Sequence, residues 1–369
     1  MTSKPPYPSR RSFLAFSAFA AASAATLAAC GAGGTKSGKD KILFEELAAT
    51  QGDPETTSLK YQGQASAVSL PELAESLGFL GPVKLDWVGN TISGPQDIQS
   101  AATKQTHFGG AFNGAVVKLI AAGAPITAVV SFLGLTPEVY NGFYVLEDSD
   151  IHTADDLVGK KVAMNTLGAQ YEAVLDIHLQ RAGFSNDRLK KVERIVVPPL
   201  NTEESLRRKQ IDVGALGGIL REKALATGGV RELFSDYSTL GPVDLDVYAF
   251  RDDFIQDNPN TVRVFTTGVA QAIEWARVTP RDEVIERFTK IIKDRGRSED
   301  TSTLKYWKGT GVAKPGGVIS DDEWSTWITW LEGQGQIDKG KVTPADIYTN
   351  AFNPYTQPNP PAIPAVRPI

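Results

Sequence analysis

From Leu59 onward, short apolar runs alternate with amphipathic stretches, and this rhythm constrains the fold more than any other feature of the chain. It argues for an α/β fold with mostly parallel strands, because each helix must return the chain across a sheet before the next strand can start. Strands are expected at residues 59–62, 83–88, 108–112 and 126–132. Ser69 and Glu72 form a capping box ahead of Leu70, Leu73, Ala74 and Leu77, and Gly78 ends that helix. Ser93 is the expected cap of the next helix, with Pro95 in the first turn, where no N–H is missed.

A second set follows, with strands at 161–164, 192–197 and 213–216 and helices at 169–182, 202–209 and 219–226. One more strand, 245–250, precedes an almost wholly helical stretch at 260–278, 282–294, 320–334 and briefly after Thr343. Two βα sets with a helical return suggest that a second lobe is inserted into a first. Trp324, Trp327 and Leu331 recur at helical spacing and are read as packing of that helix onto the first lobe. The Pro-rich tail, 354–369, has no periodic apolar face and is expected to be disordered or to lie along the surface.

Ahead of this body, Arg10 and Arg11 precede an uncharged stretch from 12 to 29 that ends at Cys30. That order of parts is a signal peptide's, and residues 9–14 look like a twin-arginine export signal. Residues 27–30, Leu-Ala-Ala-Cys, resemble a bacterial lipobox, in which the Cys30 thiol carries the lipid and becomes the mature N-terminus. The plainer alternative is a transmembrane anchor with an incidental cysteine, since the run is about as long as a short span needs; its Ala and Ser make it weakly hydrophobic. Residues 1–29 are therefore read as signal and 30–57 as lipidated N-terminus and tether, small and charged from 31 to 41. The product would be exported and held by lipid on the outer face of the cytoplasmic membrane.

Cys30 is the only cysteine, which excludes a disulfide framework and a Cys-based metal cluster. His107, His152 and His178 are not paired at metal-ligand spacing, so neither a metal nor a cofactor is expected. The net charge of −5 is mild and no basic cluster follows the signal, which argues against a nucleic-acid partner.

Several segments carry a family resemblance. The run from Asn141 through Phe143-Tyr144-Val145-Leu146 to Asp148-Ser149, then Asp155-Asp156-Leu157-Val158-Gly159-Lys160-Lys161-Val162, resembles the aliphatic-sulfonate, taurine and nitrate binding proteins of ABC importers. So do Gln210-Ile211-Asp212-Val213, Phe250-Arg251-Asp252-Asp253-Phe254 with Asn258-Pro259, and Tyr348-Thr349-Asn350. The likeness covers roughly residues 58–354; where many relatives carry Asp-Ala-Trp, this chain has Val213-Gly214-Ala215-Leu216-Gly217-Gly218.

The resemblance implies a two-lobed periplasmic-binding fold of the second type, hinged by two connecting strands, with ligand in the cleft. It sets lobe 1 at 58–140, lobe 2 at 141–245 and the return of lobe 1 with C-terminal helices at 246–353. It also implies a monomer whose closure is read by an ABC permease with its ATPase. Some relatives of the fold are enzymes, so an enzyme acting on a sulfur- or nitrogen-containing small molecule stays open, as does a ligand-sensing lipoprotein.

In open α/β sheets ligands lie beyond the carboxyl ends of the strands, where helix N-termini offer free N–H groups and the positive end of the dipole. Candidate ligand contacts are therefore Gln62 and Gly63, Ser93 and Gly94, Asn113 and Gly114, Asn141, Thr166, Gly168 and Gln170, and Gly217 with Gly218. Ser93 and Thr166 are also ordinary N-cap residues, and the glycines could be turn glycines. Such termini suit a small organic anion, a sulfonate or carboxylate.

Overall fold

In lobe 1 of the computed structural model, strands β1 (Ser58–Gly63) and β2 (Lys84–Asn90) run parallel, preceded by helix α1 (Gly38–Ala49). Residues 38–366 are described, with side chains from Phe44 onward. The signal at 1–29, Cys30 and the first part of the tether lie outside the described residues, as do 367–369. The rest of the expected tether is partly helical. In α1, Phe44 is 6% exposed and packs in the lobe 1 core.

Helix α2 (Leu70–Leu77) has the predicted capping box, with Ser69 and Glu72 in reciprocal bonds and Gly78 left-handed at its end. After β2 come α3 (Gly94–Ala102), β3 (Phe108–Phe112), α4 (Asn113–Ala121) and β4 (Ile126–Gly134). The pair β1-β2 does not pair as a ladder with β3. Instead His107 Nδ1 accepts from Lys60 N at 2.9 Å and His107 N donates to Lys60 O at 2.9 Å, closing the gap between them. That gives His107 a structural role.

Lobe 2 follows as β5 (Asn141–Leu146), β6 (Lys161–Met164), α5 (Gln170–Arg181), α6 (Asn186–Leu189), β7 (Glu193–Val196), α7 (Pro199–Arg207), β8 (Val213–Gly217), α8 (Gly218–Thr227), β9 (Val230–Ser235) and α9 (Asp236–Leu240). Its sheet has the order β7-β6-β8-β5-β9; β6 is parallel to β7 and β8, while β5 is antiparallel to both its neighbours. The chain then returns through β10 (Asp244–Arg251), α10 (Asp252–Asp257), α11 (Pro259–Val278), α12 (Arg281–Asp294) and α13 (Asp322–Gly333). Strand β10 lies between β3 and β4 and is antiparallel to both. A mixed α/β chain that leaves lobe 1 after β4 and re-enters it at the centre of the same sheet is an inserted, two-lobed fold.

Two elements depart instructively from the sequence reading. Strand β9 was not expected, because Arg231 and Glu232 interrupt its apolar pattern; it is an edge strand, where outward charges are at home. Helix α7 begins at Pro199 rather than 202, since proline fits the first helical position.

The helical return covers lobe 1 as the apolar spacing predicts. Trp324 and Trp327 of α13 are at most 1% exposed, and Trp327 meets Phe112 edge-on at 5.4 Å. The same helix reaches lobe 2, where Trp330 Nε1 donates to Asp176 Oδ2 at 3.4 Å. His178 stacks on Phe234 at 3.8 Å, a packing role rather than a ligating one. Ile363 and Val366 of the Pro-rich tail rest against the lobe 1 core. No described helix is long and apolar enough to cross a membrane.

Candidate functional site

Two segments, 135–140 and 236–243, carry the chain between the lobes, and they are tied together at both ends. Toward lobe 1, Leu135 N donates to Val243 O at 2.9 Å. Toward lobe 2, Asn141 N donates to Asp236 Oδ1 at 2.9 Å and Asn141 Nδ2 to Asp236 Oδ2 at 2.7 Å. Asp236 also accepts from Tyr237 N at 2.8 Å and from Gln170 Nε2 at 2.9 Å. Two bonds on each oxygen make this a fully used carboxylate. Burial nevertheless pushes its pKa up to about 6, with the bonds from Asn141 working the other way.

The wall that lobe 2 offers beyond its strand ends is uncharged. A cavity of about 100 Å³ is lined by Asn165 after β6, Tyr171 of α5, Pro199 and Thr202 of α7, Ala215, Leu216 and Gly217 of β8, and Leu220 of α8. Only glycine fits at 217. A Cβ there would lie 1.8 Å from Asn141 Oδ1 and 2.7 Å from the Tyr171 hydroxyl. The missing side chain thus lets the amide that clamps Asp236 reach across β8.

Lobe 1 presents a different wall at the carboxyl ends of β3 and β4. There Asp246 of β10 stands opposite Phe112, the last residue of β3, and Leu133, next to last in β4. The residue is half-buried, but its Oδ1 is sealed from solvent without a hydrogen-bond partner. Burial first, and the charge of Asp236 second, push its pKa up to about 7. In α3, Asp97 accepts from Gly110 N at 2.7 Å through Oδ2, while its Oδ1 is buried and unpartnered. Burial raises this carboxyl to about 7 as well. Burial first, then the charges of Asp97, Glu72 and Asp246, raise the pKa of the Tyr248 phenol, which stacks on Phe132 at 4.1 Å. Tyr171 of the lobe 2 cavity has its phenol pKa raised by burial, then by the charges of Asp236 and Asp246.

The structure brings three sequence candidates, Asn141, Gln170 and Gly217, together around Asp236 and Tyr171. Gly218 opens α8, whose first turn holds no acidic residue and whose end has no side-chain cap. The lobe 1 candidates have structural partners. Gln62 Oε1 accepts from Ser100 Oγ at 3.2 Å, and Gly63 O accepts from Thr91 N at 2.9 Å. Ser93 caps α3, its Oγ accepting from Gln96 N at 3.4 Å. Gly94 lets that helix lie on β3, since a Cβ would come 2.9 Å from the Ala111 Cα. Asn113 is fully buried, with Nδ2 3.4 Å from Asp244 O and 3.3 Å from Glu323 O, and Gly114 follows it in α4.

Thr166 is not the cap of α5; that position is Ala169, and Gly168 N donates to Glu172 Oε2 at 2.5 Å. The carboxylate of Glu172, itself 3.3 Å from Arg194, already occupies the end of α5 as an anion would. The end of α3 likewise has Asp97 in its first turn. Sequence reasoning missed Asp236, Tyr171 and Asp246. The signal for Asp246 was present, as a charged residue between the apolar Leu245 and Val247 of a strand. Among the described residues no group of side chains could hold a metal ion.

The family model described as "NMT1/THI5 like" matches residues 89–283, and the chain belongs to that family. No curated protein matches the chain. Among solved structures, one of a Bordetella bronchiseptica RB50 protein aligns with a TM-score of 0.68 at 20% identity, covering 82% of this chain and 97% of that one. The periplasmic aliphatic sulphonate binding protein SsuA of Escherichia coli aligns at 0.61 and 18% identity, covering 79% and 92%. The periplasmic nitrate-binding protein NrtA of Synechocystis PCC 6803 aligns at 0.60 and 14%, covering 82% and 88%. These likenesses establish the fold, the two-lobed periplasmic-binding architecture of the second type.

Proposed function

We propose that this member of the NMT1/THI5-like family is an extracytoplasmic solute-binding lipoprotein, which captures one small molecule between its lobes and presents it to an ABC permease with its ATPase. The observation that carries this reading is the pair of crossing segments, bonded through Leu135–Val243 and Asn141–Asp236, beside a cavity at the strand ends of lobe 2. A hinge needs few residues to absorb its dihedral change, and two short tied segments meet that need, although they are a loop and the short helix α9 with its exit rather than the expected strands. Solved structures of like fold, described as sulphonate- and nitrate-binding, support the same role. Lobe 1 is taken as 58–140 with 246–353, and lobe 2 as 141–245.

Export and anchoring rest on the sequence of the first thirty residues. Changing Cys30 to Ser leaves the body folded and moves the protein to the soluble fraction, because a lipid on that thiol is the anchor. Retention of the variant in salt-washed membranes would identify an uncleaved span instead. The expected organic anion has less support at α3 and α5, whose ends already have Asp97 and Glu172, than at Gly217 and Gly218 of α8.

A thermal-shift panel of sulfonates, carboxylates, nitrate, amines and pyrimidines tests the binding role. A ligand that binds only the native state at 100 times its Kd stabilises by about 2.7 kcal/mol. A binder holds one unchanged ligand per chain after incubation. Release of an altered product, read by mass spectrometry, would make the chain an enzyme on the same fold.

A further inference from the structure

Both hydroxyls that line the lobe 2 cavity turn their hydrogen toward the protein. Asp236 fixes the first. Its carboxylate only accepts, so the Asn141 amide hydrogens face it, with Nδ2 2.7 Å from Oδ2, and Asn141 Oδ1 faces the other way. To that oxygen the Tyr171 hydroxyl donates, at a long 3.5 Å. Thr202 Oγ1 donates to Pro198 O at 3.3 Å. A hydroxyl has one hydrogen, so what Tyr171 and Thr202 have left to offer is lone pairs. The Tyr171 oxygen is on the cavity side, because the bare Cβ position of Gly217, which lines the same cavity, lies 2.7 Å from it. No charged side chain lines the cavity, and the Asn165 amide, which does, makes no side-chain hydrogen bond among the described residues.

We propose, resting on the solute-binding reading, that Tyr171 sets specificity and that the ligand is an uncharged molecule whose O–H or N–H donates to the phenol oxygen. Thr202 Oγ1 is the second acceptor, and the apolar part of the ligand lies against Pro199, Leu216 and Leu220. The free Asn165 amide and the end of α8, which has no side-chain cap, serve an acceptor on the same ligand group, so that group is a hydroxyl or a carboxamide. A group with acceptors only, such as an ether or a sulfonate, meets lone pairs at Tyr171 and leaves a buried oxygen unpaired. A cation can donate, but it would leave water for a cavity without a counter-charge. Asn141 is the positioning residue, carrying the polarity of Asp236 to the phenol.

Calorimetry on the intact protein at pH 8 tests this with isomeric probes: 1-butanol against methyl propyl ether, benzyl alcohol against anisole, and butanamide against N,N-dimethylacetamide. Butanesulfonate and butylammonium are the charged controls. At least one donor probe is expected to bind at least about fivefold tighter than its isomer and than either control. Tyr171→Phe keeps the ring against Phe143 and is expected to weaken that probe by roughly 3–10-fold, the share of a neutral hydrogen bond. Asn141→Ala is expected to do what a merely structural loss would not. It frees the phenol hydrogen to turn into the cavity, so the acceptor-only isomer gains and the ratio between isomers falls to within about twofold. Equal binding of the isomers by wild type overturns the proposal, as does a ratio unchanged in both variants, or binding by none of the donor probes. Tighter butanesulfonate binding with a fall in the radius of gyration would leave the solute-binding reading standing and remove only the uncharged donor; if none of the probes binds, the wider panel above decides the binding role.

Discussion

In lobe 2 and its crossing, the carboxylates near the crevice are fully engaged: Asp236 accepts four hydrogen bonds, and Asp176 meets both Arg194 and Trp330. In lobe 1, Asp97 is buried and Asp246 half-buried, and each leaves one sealed oxygen unpartnered. Buried polar groups in native folds are nearly always satisfied, and such exceptions also occur away from this wall, at Arg194 Nε, Thr266 Oγ1 and Trp324 Nε1. Lobe 2 sets shape, through a glycine and a rigid clamp.

The comparison breaks most visibly at Gly217. Gly217→Ala pushes a methyl into the Asn141 amide and is expected to cost about 3 kcal/mol, at the upper end of overpacking, with loss of ligand affinity in parallel. A denaturant melt that leaves stability within about 0.5 kcal/mol of wild type would mean the clamp is slack.

The unpaired acids give the next effect, through pH. Asp97 and Asp246 are held near 7 and Asp236 near 6, above the ordinary 3.8, so between about pH 4 and 7 the native chain keeps protons that the unfolded chain has released. Stability therefore falls as pH rises across that window and levels off above it. Asp246→Asn removes one contributor, flattening the fall and gaining roughly 1–3 kcal/mol at pH 8. Denaturant midpoints from pH 4 to 8 read both, and a steeper profile in the variant would contradict the assignment.

On the lobe 2 side, Asn141→Ala removes the amide bond to Asp236 Oδ2 but keeps the backbone bond to Oδ1, for an expected cost of about 1–2 kcal/mol. The smallest pair separates cap from crevice: Ser93→Ala costs about 1 kcal/mol as a lost cap, while Thr166→Ala, at a position that caps nothing, costs only a few tenths. Equal losses in the two would restore Thr166 as a structural residue.

The fold was legible because its strands and helices alternate with clear punctuation; Ser69, Glu72 and Gly78 bound α2 as their chemistry requires. The crevice was legible in part. Glycines and amides at strand ends mark where backbone comes close, and three of them converge on Asp236. Their partner was hidden because it follows β9, whose Arg231 and Glu232 break the apolar run that would have announced a strand. Asp246 was hidden for another reason. Whether a charge inside a strand is paired depends on residues far off in sequence, such as Phe112 and Tyr171, that only the fold brings near.

Closure of two lobes on a bound molecule is tested most directly by small-angle scattering of the intact protein, with and without the tightest-binding probe at a concentration that calorimetry shows to be saturating. The radius of gyration is expected to fall as the probe binds one to one, and to fall less in Gly217→Ala, where the clamp between the crossing segments is forced apart. A radius unchanged at saturation in the wild type would contradict a hinge at 135–140 and 236–243.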